Sequence, residues 1–153
     1  MAIIASSHAR SATDTPYPAT AGAATVYRAS MTVPTTVQAG DILDLAVIPA
    51  GTRPVDLIID CDDLDSNGTP LITFDVGIMS GTPGDTVTAR TCGAEFISAS
   101  QIGRTGGTAR PTLATAFRVG QSSTERSIGV KITAVAATAV AGTIGCTLTV
   151  AAV

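Results

Sequence analysis

The chain has no tryptophan, one histidine (His8), one lysine (Lys131) and three cysteines among 153 residues. Each scarcity removes a class of function. Charged residues are 14% and aromatics 3% of the sequence, so no basic stripe with interleaved aromatics exists for holding nucleic acid. Exposed tryptophan or tyrosine for stacking a sugar is nearly absent, since only Tyr17 and Tyr27 are present. The cysteines Cys61, Cys92 and Cys146 are odd in number and lack CxxC or Cys/His metal spacing. They read as buried free thiols, and weakly as a sign of a reducing compartment during synthesis. With His8 alone in an irregular stretch, a Ser-His-Asp arrangement has no base held in place. Cys92, near Arg90, has no ordered histidine to activate it.

No stretch demands a membrane. Residues 132–153 carry no charge, but Gly142 and Gly145 interrupt them and threonine alternates with apolar residues, which a lipid-facing helix has no use for. They read as two strands around an Ala-Gly turn. The first ten residues are too short and too weakly apolar for a signal peptide. Net charge is −3, unevenly spread. Residues 41–85 hold nine acids against Arg53, whereas residues 90–131 hold six bases against two acids. Such asymmetry steers one subunit against another, or cancels within the fold.

What the chain does have is repeated alternation. Residues 1–24 are rich in Ala, Ser, Thr and Pro without periodicity, which predicts a flexible N-terminal arm. From Thr25 a period of two returns seven times. The inward sets are Tyr27/Ala29/Met31/Val33, Leu43/Leu45/Val47, Val55/Leu57/Ile59/Cys61, Ile72/Phe74/Val76/Ile78, Leu113/Thr115/Phe117/Val119, Ile128/Val130/Ile132/Ala134 and Ile144/Cys146/Leu148/Val150. Gly, Pro, Asp and Ser punctuate them. Residues 93–100 fit a strand or a short helical turn, and residues 104–111 read as a loop. An all-β fold follows: an antiparallel β-sandwich of residues 25–153 behind an arm of residues 1–24. The single long excursion at 79–112 favours a jelly roll over an immunoglobulin-like domain, whose Cys-Trp-Cys pattern is impossible here.

One segment invites a chemical reading. Asp63-Leu-Asp-Ser-Asn-Gly68 matches the first half of a calcium loop, with Asp63, Asp65 and Asn67 as weak candidate metal ligands and Asp60 and Asp62 nearby. The twelfth position, which needs a bidentate Glu, is Phe74, and the flanks are strands. The competing reading is a polar hairpin tip between the Val55–Cys61 and Ile72–Ile78 strands, held by side-chain to backbone bonds. Gly103-Arg-Thr-Gly-Gly107 lacks the Lys-Ser/Thr and the following helix of a phosphate loop. No catalytic residue and no cofactor is expected.

The block from Ala39-Gly-Asp-Ile-Leu-Asp through Pro49-Ala-Gly-Thr-Arg-Pro-Val-Asp-Leu-Ile-Ile-Asp60, the Asp-Asp-Leu-Asp turn, and Phe74-Asp-Val-Gly77 resembles small virion proteins of tailed bacteriophages. The strands between Ile128 and Val150 fit the same pattern. The resemblance implies a jelly-roll-like sandwich that decorates or cements the capsid from its outer surface and carries no catalytic residues. It implies the major capsid protein and further copies of the chain, as dimer or trimer, as partners, and synthesis in the host cytoplasm. A receptor- or glycan-binding module and a head-tail or minor tail protein are the alternatives.

Overall fold

The computed structural model describes residues 1–153. Nine strands form two facing sheets. In chain order they are β1 (Ile3–Ala5), β2 (Ala24–Val33), β3 (Ile42–Ile48), β4 (Thr52–Cys61), β5 (Thr73–Met79), β6 (Ile97–Ser100), β7 (Gly107–Ala109), β8 (Arg126–Ala134) and β9 (Gly142–Ala152). One sheet has the order β1-β3-β8-β5-β6 and the other β2-β9-β4-β7. All neighbours are antiparallel except β1 and β3. The expected antiparallel β-sandwich is therefore the fold. No helix is long and apolar enough to cross a membrane.

The alternating side chains explain the core. Leu43, Leu45, Ile48, Phe74, Val76, Ile128, Val130 and Ile132 from the five-stranded sheet meet Leu57, Ile59, Ile144, Cys146, Leu148 and Val150 from the other. All are buried, and the cluster counts 25 residues. Branched aliphatics suit this position because they pack on a pleated surface at little rotamer cost. Tyr27 closes the core beside β2, donating its hydroxyl proton to the Val47 carbonyl.

Several expectations fail for reasons of geometry. Residues 113–119 are not a strand. Ala114–Arg118 forms a 3₁₀ turn with Ala116 buried, while Phe117 is 63% exposed. Pro111 and Gly120 confine the segment. Val55 points outward because a register shift between Pro54 and Asp56 inserts an extra residue into β4. Within 104–111 the expected loop contains β7, paired with Ile59–Cys61. The ambiguous 93–100 segment supplies β6. The beginning of the expected flexible arm is docked: β1 runs parallel to β3, and Ile3, Ala5, Ser6 and Ala9 are buried. A three-residue strand is too short for any period to reveal it.

Neither proposed hairpin exists. β4 and β5 lie in different sheets, so the acidic turn crosses between layers. The same holds for β8 and β9 and the residues joining them.

The five-stranded sheet is buried on both faces, and every residue of β3 is buried. Its outer face is covered by the N-terminal residues and by the return of the 79–96 excursion. Ile3, Ile42 and Met79 form a separate buried cluster there, with half-buried Cys92 against it. Close approach demands glycine beneath this cover. A Cβ on Gly77 would overlap the Gly93 carbonyl, and one on Gly129 would lie 2.6 Å from Met79 Cγ. Since the Gly93 contact is backbone, Gly77→Ala is expected to cost about 1–3 kcal/mol in urea unfolding, as overpacking does. Gly107→Ala, where nothing lies within reach of a Cβ, separates overpacking from backbone strain.

Candidate functional site

The acidic turn is the first candidate. Asp65 is only 1% exposed. Its Oδ2 accepts the backbone N–H groups of Leu71 (2.7 Å), Ala137 (2.8 Å) and Ile72 (3.3 Å). Its Oδ1 accepts those of Thr138 (2.8 Å) and Asn67 (3.4 Å). Burial pushes this carboxyl up, but the amides of Thr138, Leu71, Ala137 and Ile72 outweigh burial and hold it well below the usual carboxylate range. Asp63 Oδ1 accepts the Asp65 N–H, and Asn67 Oδ1 accepts the Thr69 N–H. Asp62 Oδ2 accepts the Thr143 N–H at 2.7 Å.

The candidate ligands Asp63, Asp65 and Asn67 thus point at amides. The arrangement instead ties the β4–β5 crossing to the β8–β9 crossing. Ser66 donates to the Thr138 carbonyl and Val140 to the Leu64 carbonyl, completing the seam. Beside it lies a groove of about 130 Å³ lined by Val33, Pro34, Val37, Ile72, Val135 and Val140.

The second candidate is ionic. Asp44 on β3 has no exposed surface and Arg90 is 4% exposed. Arg90 Nη1 donates to Asp44 Oδ2 at 2.7 Å and to the Asp85 carbonyl at 2.6 Å. Its Nε donates to the Ser80 carbonyl at 2.7 Å, and its Nη2 to Ser127 Oγ at 3.1 Å. Gly84 N–H also donates to Asp44 Oδ2. One guanidinium therefore closes the loop from Ser80 to Arg90 and fastens it onto β3 and β8. The sequence placed Arg90 near Cys92 but offered no sign of its buried partner 46 positions away.

The remaining chemical candidates do not assemble into a reactive site. His8 packs against Tyr27 with ring centroids 5.3 Å apart, its Nδ1 is buried without a partner, and burial lowers its pKa. Burial pushes all three thiols, Cys61, Cys92 and Cys146, up to about 12, so none is a ready nucleophile at neutral pH. In the 103–107 segment, Arg104 donates to the carbonyls of Ile72 and Leu71. It braces the residues leading into β5 rather than facing a phosphate.

Apolar side chains stand exposed on connecting segments: Tyr17, Leu71, Val87, Phe117, Val135 and Val140. Sequence alternation missed the exposure of Phe117, because the same pattern describes a strand.

The molecule is thus a two-layer sandwich whose conspicuous polar clusters brace its own connections and whose loops display apolar side chains. No family model matches the chain, and no curated protein matches it. Among solved structures, it is 44% identical to a chain in the capsid of Ralstonia phage GP4, with a TM-score of 0.93 and 97% of each chain covered. A chain of the cyanophage Pam1 capsid asymmetric unit is 22% identical, with a TM-score of 0.67 and 91% of each chain covered. A chain from the acid-stable capsid of Helicobacter pylori bacteriophage KHP30 is 11% identical, with a TM-score of 0.50 over 84% of this chain and 89% of its own. The last two share the fold. The chain belongs to the family of the Ralstonia phage GP4 capsid chain and is a structural protein of a phage virion.

Three measurements follow. Asp65→Asn is expected to lower the melting temperature at pH 7 by at least roughly 5 °C. The Asp65 contribution is complete above the unfolded carboxyl value of about 4 and is lost as pH falls towards the lower folded value. The gap between wild type and variant should therefore narrow in thermal melts below pH 4. Arg90→Met is expected to cost about 3–5 kcal/mol by leaving the Asp44 charge buried alone, and Asp44→Leu in the same chain to recover much of that loss. Melting with and without EGTA should give the same midpoint.

Proposed function

We propose that this protein decorates the outside of the assembled shell and stabilises it by binding across junctions between major capsid subunits. The observation that carries this reading is the set of exposed apolar side chains on connections, with Phe117 at 63% exposure foremost. On a protein with few charges, such side chains favour burial against a neighbour. Full-length likeness to a chain of a phage capsid supplies the setting.

The mechanism is mechanical. Each copy buries apolar surface on two or more capsid subunits, so separating them requires exposing that surface again. Residues 10–23 and the 80–90 loop are the proposed contact elements, together with the Phe117 turn. The loop suits this role because Arg90 fixes it from inside, and a preorganised loop loses little freedom on docking. Copies also self-associate, as a symmetric clamp suits a symmetric shell.

A cryo-EM map of purified particles tests the reading. Density for the sandwich outside the shell, at subunit junctions and in multiples of sixty, is expected. Absence from the outer surface, or only six or twelve copies per particle, rejects it. Phe117→Asp is expected to weaken binding to shells stripped of the protein by roughly tenfold or more while the melting temperature stays unchanged.

A further inference from the structure

The sandwich has four sheet edges, and three end in short strands. β1 and β7 have three residues each and β6 has four. The fourth edge is β2, ten residues long, paired with β9 in continuous register from Ala24 to Val33 without a bulge. No backbone group from Thr25 to Thr32 bonds anywhere except to β9, so alternate N–H and C=O groups along the other side lack partners. Natural edges are blunted by lysine, proline, bulges or brevity. β2 has no lysine, no proline and no bulge. Its one charge, Arg28, is paired with Asp60 at 2.5 Å yet stays exposed to solvent.

We propose that β2 pairs antiparallel with β2 of a second copy about a two-fold axis at Ala29, joining the four-stranded sheets into one of eight strands. Another extended backbone replaces the water along the whole of such a row, matching every free amide and carbonyl at once. The side chains select the occupant and the register. Antiparallel partners share a face, so an axis at Ala29 sets Arg28 opposite Ser30 of the second copy, and Val26 opposite Thr32. On the inner face, Tyr27 meets Met31, which is only half-buried within one copy and gains an aromatic neighbour for its sulfur. Ala29, the smallest side chain of the inward set, lies on the axis. An axis at Arg28 would bring two guanidinium groups together and is disfavoured.

This deepens the self-association in the decoration reading, yet it is tested on free protein and so can fail separately. Sedimentation of the full chain from 1 to 100 µM is expected to show a monomer–dimer equilibrium. Amide exchange should slow with concentration on alternate residues of β2 alone. Ser30→Lys, which faces Arg28 of the second copy, is expected to weaken dimerisation at least tenfold. Ser30→Glu is expected to strengthen it. Ser30 is half-exposed, so both variants should melt near the wild type. A monomer at 100 µM, a trimer, or a dimer with freely exchanging β2 amides overturns the proposal. So does an equal response to Ser30→Lys and Ser30→Glu. A dimer that fails to bind shells rejects the decoration reading alone, whereas a monomer that binds shells rejects only the paired edge.

Discussion

The buried contact between Asp44 and Arg90 is the point on which the outer layer depends. Removing a carboxylate and a guanidinium from water is costly, and their attraction offsets that only when the remaining donors are also answered. On the arginine side they are, since the guanidinium also reaches the Ser80 and Asp85 carbonyls and Ser127, whereas Asp44 Oδ1 stays buried without a partner. The pair is thus less a source of net stability than a selector. It permits one arrangement of the 80–90 loop, which in turn lets residues 91–96 lie flat on Gly77 and Gly129.

The acidic turn works by the same logic with opposite chemistry. Asp65 collects amides from two crossings that leave the sheets on the same side of the molecule. An aspartate there replaces five water-to-amide bonds with one carboxylate. The resemblance of Asp63-Leu-Asp-Ser-Asn-Gly68 to half a calcium loop reflects a shared demand. Both uses need oxygen atoms at alternate positions in a tight bend, and only their direction differs.

The sequence rendered strand faces legible and strand partners illegible. Period two identified six strands of the final nine, since one buried face forces alternation. It says nothing about which sheet a strand joins. Nearly every connection here changes sheets, so nearness in sequence misled for β4 with β5 and for β8 with β9. Short strands such as β1 and β7 escaped because three residues carry no period. Asp65 was visible as a residue type at a turn, but its burial depended on residues 137 and 138. Arg90 gave no local sign at all.

The order of the sheets also governs when the domain can form. β9 lies between β2 and β4, and β8 lies between β3 and β5. The last two strands of the sandwich in chain order therefore occupy interior places. Until residues 126–152 emerge, β2 has no neighbour in its sheet, and β3 has only the three-residue β1. Loop closure on this scale is slow and comes before any reward from pairing. Folding of the sandwich is thus postponed until residues 126–152 have been made, and until then the β2–β5 strands lack their central neighbours.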